Sequence, residues 1–184
     1  VTVAEPAASS SFVTPFTASA VNIALPTIGK EFSMPAVALG WVATAYIFAA
    51  AVFLIPFGKA ADIYGRKRMF LAGMSIYTIA SACCVFAPSA SPLIALRVLQ
   101  GIGASMTFST GVAIVTSVVP AAERGRALGI TTAAVYIGLS VGPVVGGVLT
   151  QHFGWRSVFL VTVPLGLVVI ALVVCVCAGI APPV

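Results

Sequence analysis

Six long apolar segments, separated by short stretches that carry charges, prolines and turn residues, dominate this chain of 184 residues. Each segment is close to the ~20 residues that an α-helix needs to cross a lipid bilayer. Charged residues make up only 7% of the chain, against roughly 25% in a soluble domain. We therefore predict an all-α membrane protein with transmembrane segments at residues 12–28, 37–57, 69–87, 92–119, 127–149 and 158–177.

The positions of lysine and arginine predict an orientation. Of the nine such residues, the breaks after the second and fourth segments hold six, whereas the breaks after the first and fifth hold two. Positive connections stay in the cytoplasm, so we expect a multi-pass protein of the cell membrane with both ends of this chain cytoplasmic. Because the basic residues cluster at segment ends, a lipid bilayer explains the net charge of +5 better than a nucleic-acid partner, and we expect none. The six residues are Lys59, Arg66, Lys67, Arg68, Arg124 and Arg126.

Residue types that carry enzyme or metal chemistry are sparse. The only histidine, His152, falls in a predicted outer break, and no acid lies within a predicted span. We therefore expect no metal, no cofactor and no catalytic residue. An intramembrane serine protease is a remote alternative, since serines such as Ser105 are present but a base inside the membrane is not.

Residues 58–68 read Gly-Lys-Ala-Ala-Asp-Ile-Tyr-Gly-Arg-Lys-Arg and predict a compact loop between two spans. This stretch resembles the connection between helices 2 and 3 of major facilitator superfamily transporters, Gly-x-Leu-Ala-Asp-Arg-x-Gly-Arg-Lys. The resemblance implies a conformational latch, in which the acid holds one state through a basic neighbour and a helix N-terminus. The alternative is a loop that only fixes topology. Ala60 and Ile63 depart from the pattern, and its spine is intact at Gly58, Asp62, Gly65, Arg66 and Lys67.

An internal repeat supports the same family. Residues 147–156, after the fifth segment, match residues 58–67, after the second: two glycines lie seven positions apart in each, and Phe153 matches Tyr64. The predicted topology puts one copy inside and the other outside. The six helices are thus predicted to form two inverted three-helix repeats.

The fourth segment contains the only charge well inside a predicted span, Arg97. Such a residue is costly in lipid and usually faces a bundle interior or an aqueous pathway; the alternative is that it snorkels to the nearby outer surface. The stretch matches the family pattern Arg-x-x-Gln-Gly-x-Gly-Ala through Gln100, Gly101, Gly103 and Ala104. That resemblance places Arg97 and Gln100 at the central cavity or the proton pathway.

The first segment resembles the first helix of the fourteen-helix drug:proton antiporters, Leu-Asp-x-Thr-Ile-Val-Asn-Val-Ala-Leu-Pro. Asn22 matches the asparagine and is predicted either to line the cavity or to form an interhelical hydrogen bond. Thr17 stands at the position of the acid. Threonine carries no exchangeable charge at physiological pH, so proton coupling through this helix is in doubt.

The fifth segment places Gly138, Gly142 and Gly146 four residues apart, a spacing that forms one flat helix face for close packing. Pro143 favours a bend. These residues, with Gly147, fit the antiporter pattern Gly-x-x-x-Gly-Pro-x-x-Gly-Gly, which implies efflux and a helix that rocks. The alternative is close packing in a static bundle.

Beyond the fifth segment the family shows Trp-Arg-x-x-Phe and then Asn-x-Pro-x-Gly. Trp155 and Arg156 fit, with the tryptophan expected at the membrane interface, whereas Thr162 replaces the asparagine.

The resemblance implies that residues 1–184 form the N-terminal six-helix half of a transporter, closest to the fourteen-helix drug:proton antiporters, with a twelve-helix relative as the alternative. The expected activity is efflux of small amphipathic organic compounds by alternating access, with protons as the implied coupling ion. A second half of six to eight helices, in the same polypeptide or a dimer partner, is absent from this chain. The alternative is a truncated or non-transporting six-helix membrane protein.

Overall fold

Six α-helices make up most of the protein, and the computed structural model describes residues 4–178. All six contain stretches long and apolar enough to cross a membrane. In lipid, a helix satisfies the backbone hydrogen bonds of such a segment internally. The prediction of an all-α membrane protein with six apolar helices is confirmed. The helices are α1 (Ala4–Glu31), α2 (Ala36–Tyr64), α3 (Arg66–Val85), α4 (Ala90–Val118), α5 (Arg124–Phe153) and α6 (Arg156–Ala178).

The connection between α2 and α3 differs from the prediction. We expected a compact loop over residues 58–68, and that expectation is wrong: α2 continues to Tyr64, α3 begins at Arg66, and Gly65 alone lies between them. Gly65 has φ of 96°, a conformation that glycine adopts without steric cost. The chain therefore changes direction at one residue, and the turn signal of Gly58 lies inside a helix.

The end of α3 also differs slightly from the predicted segment, which ran to residue 87. The backbone N–H groups of Phe86 and Ala87 bond to the carbonyls of Cys83 and Cys84, at 3.0 and 3.2 Å. These tighter three-residue turns close the helix at Val85.

Helix pairing follows a pseudo-two-fold pattern. The most extensive packing of α1 is along α5, and α4 packs most extensively along α2. In the same way, α6 contacts α1 and α3 contacts α4. If α1, α2 and α3 are matched with α4, α5 and α6, respectively, the α1–α5 pair corresponds to the α4–α2 pair, and the α6–α1 pair corresponds to the α3–α4 pair. The prediction of two inverted three-helix repeats is confirmed.

The buried apolar residues form two main clusters, one toward each end of the bundle. The first, with Ile28, Leu93 and Trp155, lies where α1 and α3 end and α4 and α6 begin. The second surrounds Phe70 and Tyr77. Between helices already in lipid, burial of apolar surface drives association weakly, so close packing and interhelical hydrogen bonds carry more of the stability.

Candidate functional site

Arg97 lies inside the bundle, with only 1% of its surface exposed. Its Nε donates to the carbonyl of Val42 on α2 at 3.0 Å, and its Nη1 donates to Oε1 of Gln100 at 2.8 Å. The guanidinium carbon lies 4.5 Å from the centre of the Tyr46 ring, a cation–π distance. The snorkelling alternative is therefore wrong, because the side chain turns inward between α4 and α2.

Gln100 extends this network to a third helix. Its Nε2 donates to Oγ of Ser81 on α3 at 2.7 Å, and the Ser81 hydroxyl donates to the carbonyl of Tyr77 at 2.7 Å. Both ends of the Gln100 amide are thus bonded, which fixes its orientation and the plane of the Arg97 guanidinium. The sequence singled out Arg97 and Gln100 but not Ser81, because one serine in an apolar helix carries no distinguishing signal.

Small residues on α4 make room for this network. A Cβ at Gly101 would collide with the carbonyl oxygen of Tyr46, and one at Gly103 would lie 2.6 Å from the carbonyl oxygen of Gly73. The helix therefore approaches α2 and α3 at backbone distance on two faces. That approach lets a side chain on α4 reach a main-chain carbonyl on α2.

The α1–α5 contact, which we call the glycine seam, joins three glycines of α5 to the backbone of α1. Added Cβ atoms at Gly138, Gly142 and Gly146 would come within 2.6, 2.8 and 2.7 Å, respectively, of α1 backbone atoms in Phe12, Phe16 and Ala20. The predicted packing glycines therefore do lie on one contact face.

Gly147 and Pro143, the other two residues singled out in the fifth helix, are not part of the glycine seam. A Cβ at Gly147 would be 3.7 Å from Ile23, an ordinary van der Waals distance, so Gly147 does not require the absence of a side chain. Pro143 lies within the continuous α5, and its role in bending or rocking stays a prediction.

Asn22 is exposed on α1. Its side chain makes no hydrogen bond to any residue in the described range 4–178, so it does not contact the Arg97–Gln100 network. The proposed interhelical bond is thus not formed within this part of the chain, and cavity lining stays a prediction.

Thr17 and Thr162, the two positions where the chain departs from the antiporter pattern, contact each other. Their Oγ1 atoms lie 2.9 Å apart, joining α1 to α6. Each is also within 2.9 Å of the carbonyl four residues earlier, Val13 for Thr17 and Val158 for Thr162. Thr17 replaces the acid of the family pattern and Thr162 replaces the asparagine, so the two departures form one neutral pair of hydroxyl groups. The pairing joins two distant helices and could not be seen from the sequence of either helix alone.

At the α2–α3 junction, an ion pair links Asp62 to Arg66. Arg66 Nη2 and Nε lie 3.0 and 3.2 Å from Oδ1 of Asp62, and its Nη1 donates to the carbonyl of Ala113 on α4 at 3.0 Å. The predicted acid and its basic partner are thus together, both partly solvent-exposed. Gly58 lies on the α2 face toward α4, and Lys67 is exposed without a described partner.

A second ion pair, which sequence reasoning missed, lies at the α5–α6 junction. Gly154 has φ of 80°, as Gly65 does at the first junction. Arg156 Nη1 lies 2.5 Å from Oε1 of Glu31 at the end of α1, and Trp155 Nε1 donates to the other carboxylate oxygen at 2.6 Å. Arg156 Nε also donates to the carbonyl of Val85 at 3.1 Å.

This second cluster corrects one expectation. Trp155 is 1% exposed, so its ring is enclosed in the bundle rather than half-wet at the membrane interface. The internal repeat aligned Arg156 with Lys67, which has no described partner, so the repeat gave no signal for this ion pair. Glu31 itself lies 125 positions away and could not be chosen from spacing.

Comparison with known proteins agrees with this architecture. Residues 7–183 match the profile of the Major Facilitator Superfamily. The chain belongs to the major facilitator superfamily. It is therefore a multi-pass membrane protein of a family of transporters.

Individual relatives of this major facilitator chain include a riboflavin transporter, a multidrug resistance protein and a cephamycin export protein. It is 40% identical over 161 residues to the riboflavin transporter RibZ of Clostridioides difficile, covering 88% of this chain and 35% of that protein. It is 42% identical over 156 residues to the multidrug resistance protein Stp of Mycobacterium tuberculosis, covering 84% and 29%. It is 38% identical over 169 residues to the cephamycin export protein CmcT of Amycolatopsis lactamdurans, covering 91% and 35%. The chain thus spans about a third of the length of these relatives.

Proposed function

We propose that this chain is the N-terminal half of a major facilitator exporter, related to the fourteen-helix antiporters, that moves small amphipathic organic compounds by alternating access. The observation that carries the proposal is the Arg97–Gln100 network, a buried charge in a bundle that is otherwise largely apolar. Ionisable residues in membrane spans are costly and usually mark substrate or ion pathways. The names of the relatives, which include a multidrug resistance protein and a cephamycin export protein, favour export of organic molecules.

A transporter of this type binds its substrate near the membrane midplane between two halves. This chain matches about a third of the length of its relatives. The second half would be supplied by further helices, either in the same polypeptide or in a partner. The positive-charge distribution supports an orientation with both ends of this chain in the cytoplasm, in the plasma membrane. Asn22, exposed on α1, then lines the cavity between the halves.

Alternating access requires one half to rock against the other. The glycine seam lies within this half, where a flat contact between helix backbones would let α5 adjust its position along α1 as the half changes state. The Asp62–Arg66 pair is suited to a latch, since its exposed carboxylate is free to approach a helix N-terminus of the second half. We propose transport rather than catalysis as the activity.

The test is dye efflux from bacterial cells that lack their own major exporters. The full-length protein should lower the steady-state accumulation of an amphipathic fluorescent dye, and the same protein with Gln100→Leu, matched for membrane abundance, should lower it less. Adding a protonophore tests coupling to protons. Equal accumulation in cells with the parent protein and with empty vector, over a panel of cationic, neutral and anionic dyes, would contradict the proposal.

A further inference from the structure

A groove opens on the side of the bundle between α1, α5 and α6. Its volume is about 330 Å³, and every side chain that lines it except Ser9 is apolar. An apolar cavity of roughly 150 Å³ is enough to hold benzene, so this groove has room for several methylene groups. The lining comes from all three helices and includes Phe12 on α1, Ala134 on α5, and Leu165 and Val169 on α6.

The groove opens on an apolar flank of α5. Ile130 and Ile137 lie four residues before and three residues after Ala134, so they share its side of the helix, and both are exposed. Tyr136 and Ser140, two exposed polar residues of α5, lie about 160° and 120° around the helix axis from Ala134. Contacts between membrane helices favour small and polar residues, whereas this flank presents large branched side chains, as a surface that meets lipid tails does.

A cation lies on the same flank, nearer the end of the bundle. Arg126 is eight residues before Ala134 on α5, which is about 12 Å along the helix axis. Its side chain is exposed and forms no hydrogen bond or ion pair with another residue in the described range 4–178. Arg124, in contrast, donates from Nε to the carbonyl of Val119 at 3.0 Å. Arg126 is therefore the cation that remains available to a ligand seated in the groove.

This end of the bundle has an excess of positive charge. Arg66 Nη1 donates to the carbonyl of Ala113 near the end of α4, so the α2–α3 junction lies at the same end as the start of α5. The cations in these stretches are Lys59, Arg66, Lys67, Arg68, Arg124 and Arg126, and the acids are Glu5, Asp62 and Glu123. Six cations against three acids attract an anionic lipid headgroup more strongly than a neutral one.

We propose that the groove binds one acyl chain of an anionic phospholipid, whose phosphate is held by Arg126. The spacing fits, since the polar layer on each side of a bilayer is about 5–8 Å thick. A phosphate beside Arg126 therefore places the upper part of its acyl chain at the depth of Ala134. A guanidinium pairs with a phosphate through charge-assisted hydrogen bonds. Lipid binding at this site does not depend on the proposed transport activity.

The experiment titrates the purified full-length protein in detergent with dioleoylphosphatidylglycerol or dioleoylphosphatidylcholine and follows the first bound lipid by native mass spectrometry. The parent should bind the anionic lipid about fivefold more tightly than the zwitterionic one, the effect of one cation near a membrane surface. Arg126→Gln should remove that preference. Lys30→Gln, which removes a cation at the opposite end of α1, is the matched control and should keep it.

A second variant tests the groove itself. Ala134→Trp fills it and should weaken binding of both lipids by about tenfold, the loss of roughly two buried methylene groups. Ala133→Trp adds the same side chain at the preceding, exposed position outside the groove and should leave both affinities unchanged. Arg126 lies on the surface, so the headgroup arm of the test holds even if the Ala134→Trp variant does not fold.

Equal affinities of the parent and Ala134→Trp for both lipids would overturn the proposal, as would an anionic preference that survives in Arg126→Gln. If Ala134→Trp weakens dye binding or lowers the unfolding midpoint while its lipid affinities stay parental, the occupant is the solute or a side chain of the second half, and the lipid proposal is wrong. A parent that shows the expected lipid affinities but no dye efflux would refute the transport function and keep the lipid site.

Discussion

The two helix contacts related by the internal repeat, α1–α5 and α4–α2, share a backbone geometry and differ in chemistry. In both, glycines let two helices approach until a Cβ would overlap the neighbouring backbone. The glycine seam carries no charged residue at its contact glycines, whereas the α4–α2 contact encloses Arg97, whose Nε bonds to a backbone carbonyl of α2. The same close packing of helix backbones therefore accommodates an apolar contact in one copy of the repeat and a buried charged network in the other.

The largest effect should come from filling either contact. Gly142→Ala places a Cβ 2.8 Å from the carbonyl oxygen of Phe16, and Gly101→Ala places one against the carbonyl of Tyr46. Each should lower the free energy of unfolding by about 1–3 kcal/mol, measured as the denaturation midpoint in detergent. Gly147→Ala on the same helix is the control and should change it by about 0.5 kcal/mol or less. Equal midpoints for all three variants would show that the two contacts are not tightly packed.

A substitution in the polar network should separate function from stability. Gln100→Leu removes the amide that orients Arg97 and bonds to Ser81, which should slow transport by about tenfold, the loss of roughly one hydrogen bond to a charged group. The assay is initial efflux rate at equal membrane abundance. Leu99→Ala, on the exposed face one residue earlier, should leave the rate unchanged. If the Gln100→Leu variant transports at the parental rate, the polar network at the α4–α2 contact does not contribute to transport.

The two junction ion pairs offer a second comparison. Glu31→Ala removes the acceptor of the buried Trp155 indole and the partner of Arg156, so we expect a loss of about 1 kcal/mol in unfolding free energy, limited by the exposure of the ion pair. In a Trp41→Phe background, the fluorescence of Trp155 should shift to longer wavelength. Glu31→Gln, which keeps an acceptor oxygen, should largely restore the parental spectrum. An unchanged spectrum in Glu31→Ala would contradict the bond.

The smallest effect on stability is expected at the other junction. Asp62→Asn removes an ion pair with both partners partly exposed, and such pairs contribute little to folding. We expect a shift of roughly fivefold or less in the ratio of outward- to inward-facing states, read from the labelling rate of a cysteine introduced at Asn22. Identical labelling in Asp62→Asn and parent would leave this ion pair without a latch role.

Much of the fold follows from the sequence because lipid allows few choices. Long apolar runs that cross lipid form helices, so the six helices were predictable. Glycines four residues apart on a helix form a flat face that favours close helix packing, so the contact face of Gly138, Gly142 and Gly146 was predictable too. The burial of Arg97 inside the bundle was also predictable, since a charge in a membrane span usually faces the bundle interior, whereas its place at a cavity or proton pathway stays a prediction.

The rest depended on contacts between distant segments. The pairing of Thr17 with Thr162 and of Glu31 with Arg156 joins residues more than a hundred positions apart, and no local pattern selects such partners. The loop predicted over residues 58–68 failed for a different reason. Glycine and charge clusters are turn signals in soluble chains, yet a helix that leaves the membrane can continue for two turns into water.

The single residue between α2 and α3 has a mechanical consequence. The adjoining helix ends, Tyr64 and Arg66, are two positions apart in the chain, so their Cα atoms can never be more than about 7.2 Å apart. Tilting about Gly65 remains available, whereas a large separation of the two helix ends does not. A movement of the end of α2 must therefore carry the start of α3 with it, and the angle between the two helices changes at Gly65.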